Sequence, residues 1–195
     1  MRKIVVFLNV LLLVGLLKAG DTSWTFDVSH SKIGFSVTHM MITDVEGQFG
    51  EFDGKVMTEG EDFTTVKIDL EIDVNSVNTA NEKRDVHLRN EDFFDTAKFP
   101  KITFKSTQME KVGDEKYKLT GDFTMMGVTK PVTLDVIHNG TIKDPWGGTR
   151  AGFDITGKID RTDFGLKYNS VLDAGGLMIG EDVKFAIKIQ LKKAK

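Results

Sequence analysis

The sequence predicts an all-β protein: about eight antiparallel strands closed into a barrel, with a short helical insert near residues 79–95. Three observations carry this reading. Apolar and polar residues alternate over most of the chain after residue 24. Turn-forming clusters divide the alternation into segments. The apolar parity is rich in phenylalanine, with 14 Phe against 2 Trp and 2 Tyr. Period two with one polar face is the pattern of strands that bury one side. Amphipathic strands argue against a parallel α/β sheet, whose strands are apolar on both faces, and no βαβ spacing occurs.

The chain opens on an address rather than on a strand. Arg2 and Lys3 precede an apolar run from Ile4 to Leu17, broken by Asn9 and followed by Lys18-Ala19. A run of this length behind a positive start reads as a secretory signal peptide, with cleavage expected after Ala19. An uncleaved N-terminal anchor is the alternative. The expected mature chain is a single domain over residues 20–195, periplasmic or secreted. Loss of the first 19 residues leaves 23 basic against 29 acidic residues, a net charge of −6. Such a chain is a poor electrostatic match for nucleic acid or anionic headgroups, and neutral lipid tails are untouched by that argument. The absence of cysteine removes disulfides, thiolate catalysis and zinc-thiolate or iron–sulfur sites.

The strands follow in order. Trp24, Phe26 and Val28 share one parity, then Ile33, Phe35, Val37 and His39, then Val66, Ile68, Leu70 and Ile72. Ile102 and Phe104 come next, and Tyr117, Leu119, Gly121, Phe123 and Met125 share another parity. Val132, Leu134 and Val136 precede Phe153, Ile155 and Ile159, and Val183, Phe185, Ile187, Ile189 and Leu191 close the series. Glu59-Gly60-Glu61-Asp62, Gly113-Asp114, His138-Asn139-Gly140 and Asp144-Pro145-Trp146-Gly147-Gly148 read as turns. Asn139-Gly140-Thr141 also fits a glycosylation sequon, but turn formation is its simpler use.

Thr79 to Asp95 breaks the alternation. It is polar and helix-compatible, with Asn78 or Thr79 as a cap for a helix through Arg89 and Asn90 as a cap for a second turn. Phe99-Pro100 forces an extended restart. This insert either closes one barrel end or is a surface connection. An open eight-stranded sheet with a Phe-rich face would leave edges and a large apolar patch; closure removes both. The interior is then either filled by side chains or wide enough for one small ligand. Inward glycines such as Gly121 lean towards the open reading.

Motifs for chemistry are sparse. Gly152 to Lys158 looks like the start of a phosphate loop, but residue 159 is Ile and the segment alternates as a strand. No cofactor is expected. His30 and His39 are spaced to meet across a hairpin, where a metal pair competes with ordinary hydrogen bonding; no metal site is expected. Arg84, Asp85 and His87 admit two roles. They form a network that fixes the insert, or an acid–base and anion-holding group.

These and other residues carry a family resemblance. Val28-Ser29-His30-Ser31, His39, Gly47-Gln48-Phe49 with Phe52-Asp53-Gly54, and Ser76-Val77-Asn78-Thr79 come first. Arg84-Asp85-Val86-His87-Leu88, Asp92-Phe93-Phe94-Asp95 and Phe99-Pro100 follow. Then come Gly121-Asp122-Phe123-Thr124, Met125 to Val132, Arg161-Thr162-Asp163-Phe164-Gly165 and Ile179 to Val183. In number, order and spacing they resemble the YceI-like family of bacterial, mostly periplasmic proteins, from Trp24 to about Leu191. The resemblance implies a lipocalin-like antiparallel barrel with an elongated apolar pore for a polyisoprenoid or other long-chain amphiphile. It also implies a homodimer. Phe123 to Gly127 departs from the family's usual Leu-Thr-Ile/Leu-x-Gly, which places adaptable methionines in that stretch.

The function expected is therefore a non-catalytic carrier of a long apolar lipid. Phe26, Phe35, Val37, Phe49, Phe104, Leu119, Phe123 and Phe185 are the candidate pore lining. Arg84, Asp85 and His87 are the candidate mouth. The alternatives are an enzyme on a lipid-like substrate using Asp85 and His87, and a module whose barrel is filled.

Overall fold

The computed structural model describes residues 20–173 and 175–194. The expected signal segment lies outside the described residues. The strands are β1 (Asp21–Phe26), β2 (Lys32–His39), β3 (Thr43–Phe49), β4 (Phe52–Glu59), β5 (Asp62–Asp73) and β6 (Val77–Asn78), then β7 (Lys101–Gly113), β8 (Lys116–Met125), β9 (Val128–Lys143), β10 (Thr149–Asp160) and β11 (Ile179–Lys193). The helix α1 spans Glu82–Arg89. All named pairings are antiparallel.

These segments make eight staves because three staves are bent. β1 runs into β2 through a 3-10 turn at Val28–His30, β3 runs into β4 across Gly50-Glu51, and β5 runs into β6 through a 3-10 turn at Val74–Ser76. β1 pairs with β4 while β2 pairs with β3, and β5 and β6 pair with the same bent stave. β11 then pairs with both halves of the first stave, Leu191 with Phe26 and Phe185 with Phe35, and this closes the barrel.

Each bend is held by polar groups that the ladder would otherwise leave unmet. At the second bend, Ser76 Oγ accepts from Glu51 N at 3.0 Å and the Ser76 carbonyl accepts from Gly50 N at 3.2 Å. At the first, buried Asp27 accepts from Ser29 Oγ at 2.6 Å, Arg150 Nη1 at 2.6 Å and Gln190 Nε2 at 3.0 Å, with Lys192 Nζ at 2.9 Å. Ser29 is local, but Arg150 comes from β10 and Gln190 and Lys192 from β11, so Asp27 pins the seam where the barrel closes. Burial pushes its pKa up, but hydrogen bonds from Ser29, Lys192, His30 and Arg150 outweigh that and hold it well below the ordinary carboxylate range.

The inward parity of β8 is Tyr117, Leu119, Gly121, Phe123 and Met125, and all five are buried. Trp24 is the most enclosed aromatic at the end opposite α1. Its Nε1 donates to Thr58 Oγ1 at 2.9 Å and its ring packs 5.3 Å from Phe63. Phe63 meets Phe153 at 4.8 Å, and His138 stacks on Phe153 at 4.9 Å. That end is filled by rings.

Several sequence expectations change. His138-Asn139-Gly140 is not a turn. It lies inside β9, where Gly140 faces Gly152, His138 faces Phe153, and Asn139 is the extra residue of a bulge. Gly140 takes φ +123°, which explains a turn-like residue inside a strand. The helix is capped by Asn81, whose side chain accepts from Arg84 N, rather than by Asn78 or Thr79. Gly121 helps the interior indirectly: the Phe104 ring lies back into the space its side chain would take. His30 and His39 stand at opposite ends of β2 and do not meet.

Candidate functional site

Among the described residues the barrel holds an apolar cavity of about 400 Å³, within the range of small-molecule sites. Its wall uses residues from almost every stave, because the inward parity of each strand points at the same axis. Phe26, Phe35, Val37, Phe49, Phe104, Leu119, Phe123 and Phe185 all line it. Phe123 is edge-on to Phe164 at 5.3 Å and 5.9 Å from Phe185, so the wall packs ring on ring. Phe26, Phe35, Ile68, Leu70, Ile155, Phe185 and Ile187 are only partly buried although they sit on the core parity. Inward residues that keep accessible surface are what a hollow produces and a filled core does not.

The polar lining gathers at one end. Thr38 and His39 end β2, Thr79, Arg84 and His87 belong to α1 and its approach, and Arg161 and Tyr168 follow β10. His87 packs edge-on to Phe93 at 4.9 Å and Tyr168 at 5.1 Å, and its Nε2 lies 3.0 Å from Asp92 Oδ2. This aromatic contact joins α1 to Tyr168, in the segment after β10, across the rim.

The three mouth residues expected from sequence separate. Arg84 and His87 line the cavity. Asp85 is buried behind the helix, where its Oδ1 accepts from Thr79 N at 2.9 Å and Thr79 Oγ1 at 2.5 Å. Arg84 Nε and Nη2 donate to Thr79 Oγ1 at 2.7 Å and Thr79 O at 2.8 Å. Thr79 is thus clamped from both sides, and Asp85 serves the insert's attachment. Asp85 and His87 do not form a hydrogen-bonded pair: the former is engaged by Thr79 and the latter by Asp92.

Arg161, like Thr38 and Tyr168, is a polar liner that the sequence reading passed over as a site. It is 3% exposed, donating through Nε to Gly180 O at 2.9 Å, Nη1 to Leu166 O at 2.5 Å and Nη2 to Ile179 O at 3.4 Å. Burial lowers its pKa from the usual arginine value. The signal for it was present: Phe153, Ile155, Ile159 and Arg161 share one parity, so a cation stands on an inward row.

A closed barrel of eight antiparallel strands around an apolar cavity with a polar rim defines a class, the barrels that enclose a small ligand site. Within that class the chain belongs to the YceI-like domain family, whose model matches residues 24–191. A UPF0312 protein of Staphylococcus aureus is 41% identical over 165 residues, covering 84% of this chain and 94% of its own. The crystal structure of a Campylobacter jejuni YceI protein matches at 32% identity and TM-score 0.68, over 81% of this chain and 90% of that one. A polyisoprenoid-binding domain from Saccharophagus degradans shares the fold at 17% identity and TM-score 0.65, over 88% of this chain and 98% of that one. No helix among the described residues is long and apolar enough to cross a membrane.

Proposed function

We propose that this protein is a carrier that holds a long-chain apolar lipid, a polyisoprenoid or a fatty-chain amphiphile, inside its barrel. The observation that carries the reading is the cavity itself: walled by phenylalanine and aliphatic side chains and polar at one end. Each methylene moved from water to such a wall is worth about 0.8 kcal/mol. About ten buried carbons would offset most of the several kcal/mol that association costs. The polyisoprenoid-binding domain that shares the fold supports this class of ligand. The expected signal peptide supports a periplasmic or secreted carrier, since an exported protein meets membrane lipid outside the cytoplasm.

Native mass spectrometry of the protein from its own host, followed by solvent extraction, tests the reading. A stoichiometric long-chain adduct released on unfolding is the expected result. A protein that is empty and takes up neither isoprenoid nor fatty-chain lipid overturns it. The same spectrum reads the mature N-terminus, expected at Gly20, and the oligomeric state, for which the resemblance implies a homodimer.

A further inference from the structure

We propose that the rim of the cavity docks on the surface of a zwitterionic lipid bilayer, and that the β2–β3 turn, Met40-Met41-Ile42, is the part that enters it. The proposal rests on the carrier reading and adds where the protein meets its lipid source.

The β2–β3 turn works against stability in two ways. Met40 and Met41 are its central residues, and Ile42 N donates to His39 O at 3.2 Å to close it. Both methionines take positive φ, +51° and +63°. This is the type I′ arrangement, which Asn-Gly ordinarily fills because longer side chains are strained there. The side chains also stand in solvent: Met41 is 67% exposed and Ile42 84%. Neither turn formation nor core packing accounts for these three residues, and strain joined to exposed apolar surface points to a use outside the fold.

The turn is one part of a larger surface. Met41 Sδ lies over Gly176, in the space a β-carbon there would take, and Met40 N donates to Met178 O at 2.7 Å. Met178 ends a second small hairpin, closed by its own N–H to Ser170 O at 2.9 Å and by the Val171–Leu177 bridge. Val171 on that hairpin is 76% exposed. The joint surface is uncharged as well as apolar: no Asp, Glu, Lys or Arg falls within residues 39–43, 168–172 or 175–180, in a chain that is 28% charged. The ring-filled end of the barrel differs. Ile142 and Trp146 are exposed there too, but Arg150 stands opposite Ile142 and Asp144 accepts from Trp146 N.

Position and charge name the occupant. His39 precedes the turn and Met178 bonds to it, and both line the cavity. The exposed apolar surface thus runs into the hollow at its polar end, where a lipid tail would pass. A bilayer accepts apolar side chains at its interface without a complementary shape. An uncharged tip on an acidic chain gains nothing from anionic headgroups, so a zwitterionic surface suits it. A second copy seated here would close the route by which the cavity fills.

Sedimentation with phosphatidylcholine vesicles tests this, with wild type and variants purified in the form the host makes. The principal variant combines Met40→Asn, Met41→Gly and Ile42→Ser. It gives the turn its favoured residues, so it should melt no lower than the wild type. Its partition onto the vesicles should fall on the order of tenfold or more below wild type. Trp146→Ser should partition as the wild type does, and high salt or added phosphatidylglycerol should not strengthen binding. Geranylgeraniol added from solvent should fill wild type and triple variant to the same extent, while geranylgeraniol embedded in the vesicles should reach the variant more slowly. Equal partition of these two proteins, or none by either, overturns the docking surface. Binding lost in Trp146→Ser but kept in the triple variant overturns it too, by giving the contact to the other end. So does a dimer that the triple variant breaks without any vesicle binding, which gives the surface to a second copy. If geranylgeraniol fills neither protein the carrier reading falls, and the vesicle partition still decides the docking.

Discussion

The ring of Phe35 lies over Gly47, its partner on the facing strand, in the space a β-carbon at residue 47 would occupy. The same ring is 5.4 Å from Phe49 and lines the cavity. A glycine covered by a cross-strand aromatic keeps the sheet curved and the ring down against the wall. Gly47→Ala should therefore lift Phe35 into the hollow. We expect a loss of about 1–3 kcal/mol of stability from overpacking, read by urea denaturation, together with lower ligand occupancy. Wild-type stability and occupancy in this variant would show that the ring has another place to go.

Phe123 tests the wall more directly. It is buried, lines the cavity and packs on Phe164 and Phe185. Phe123→Asp puts a carboxylate where a lipid tail would lie, and the folded fraction should carry no lipid. Phe35→Asp should do the same. Phe123→Leu, which keeps the wall apolar, should retain binding. Lipid content by extraction, with circular dichroism for folding, separates the cases. A folded Asp variant that keeps its lipid removes that position from the site.

Asp85 holds the insert to the barrel rather than facing the cavity. Asp85→Ala leaves the Thr79 N–H and O–H without their buried acceptor. Such a loss costs about 1–3 kcal/mol. Hydrogen exchange should rise first in α1 and residues 90–100, before the strands open. Uniform exchange across the whole chain would mean that the insert and the barrel unfold as one unit.

Asp27 gives the barrel an acid-sensitive seam. Its folded pKa is held well below the ordinary carboxylate range by the hydrogen bonds it accepts. Stability from a depressed carboxylate is present above its unfolded pKa and is lost as pH falls through the folded one. Stability should thus decline below about pH 4, with the β1–β11 seam loosening first. Asp27→Asn should be less stable at pH 7 and show a shallower decline in acid. Thermal melts of both proteins between pH 2 and 7 measure this; parallel curves would assign the acid response to other carboxylates.

Much of the barrel was legible because alternation is a local property. On β8, Tyr117 to Met125 could only be a half-buried strand, and the turn at Gly113-Asp114 followed from residue type. His138-Asn139-Gly140 misled because a bulge and a turn use the same residues. Their difference lies in the partner strand, where Gly152 and Phe153 stand opposite. The helix was visible as a break in period, but its cap was displaced by a few residues, since Asn78, Thr79 and Asn81 offer the same side-chain chemistry.

The sequence by itself determined the class: amphipathic period-two strands must bury one face, and a Phe-rich face on about eight strands has no stable open form. It also determined which parity points inward, and so which phenylalanines were candidates for the wall, without sorting wall from plain core. Only the tertiary structure decided that the interior is hollow, because hollowness depends on how far rings reach across the axis. The Phe104 ring beside Gly121 and the Phe35 ring beside Gly47 leave the axis free. Only the tertiary structure separated Asp85 from Arg84 and His87, neighbours in sequence that an eight-residue helix points to different surroundings. And only the closed barrel brought Arg161, from the end of β10, to the same cavity as Arg84, because a charge on an inward row acquires its meaning from what the row encloses.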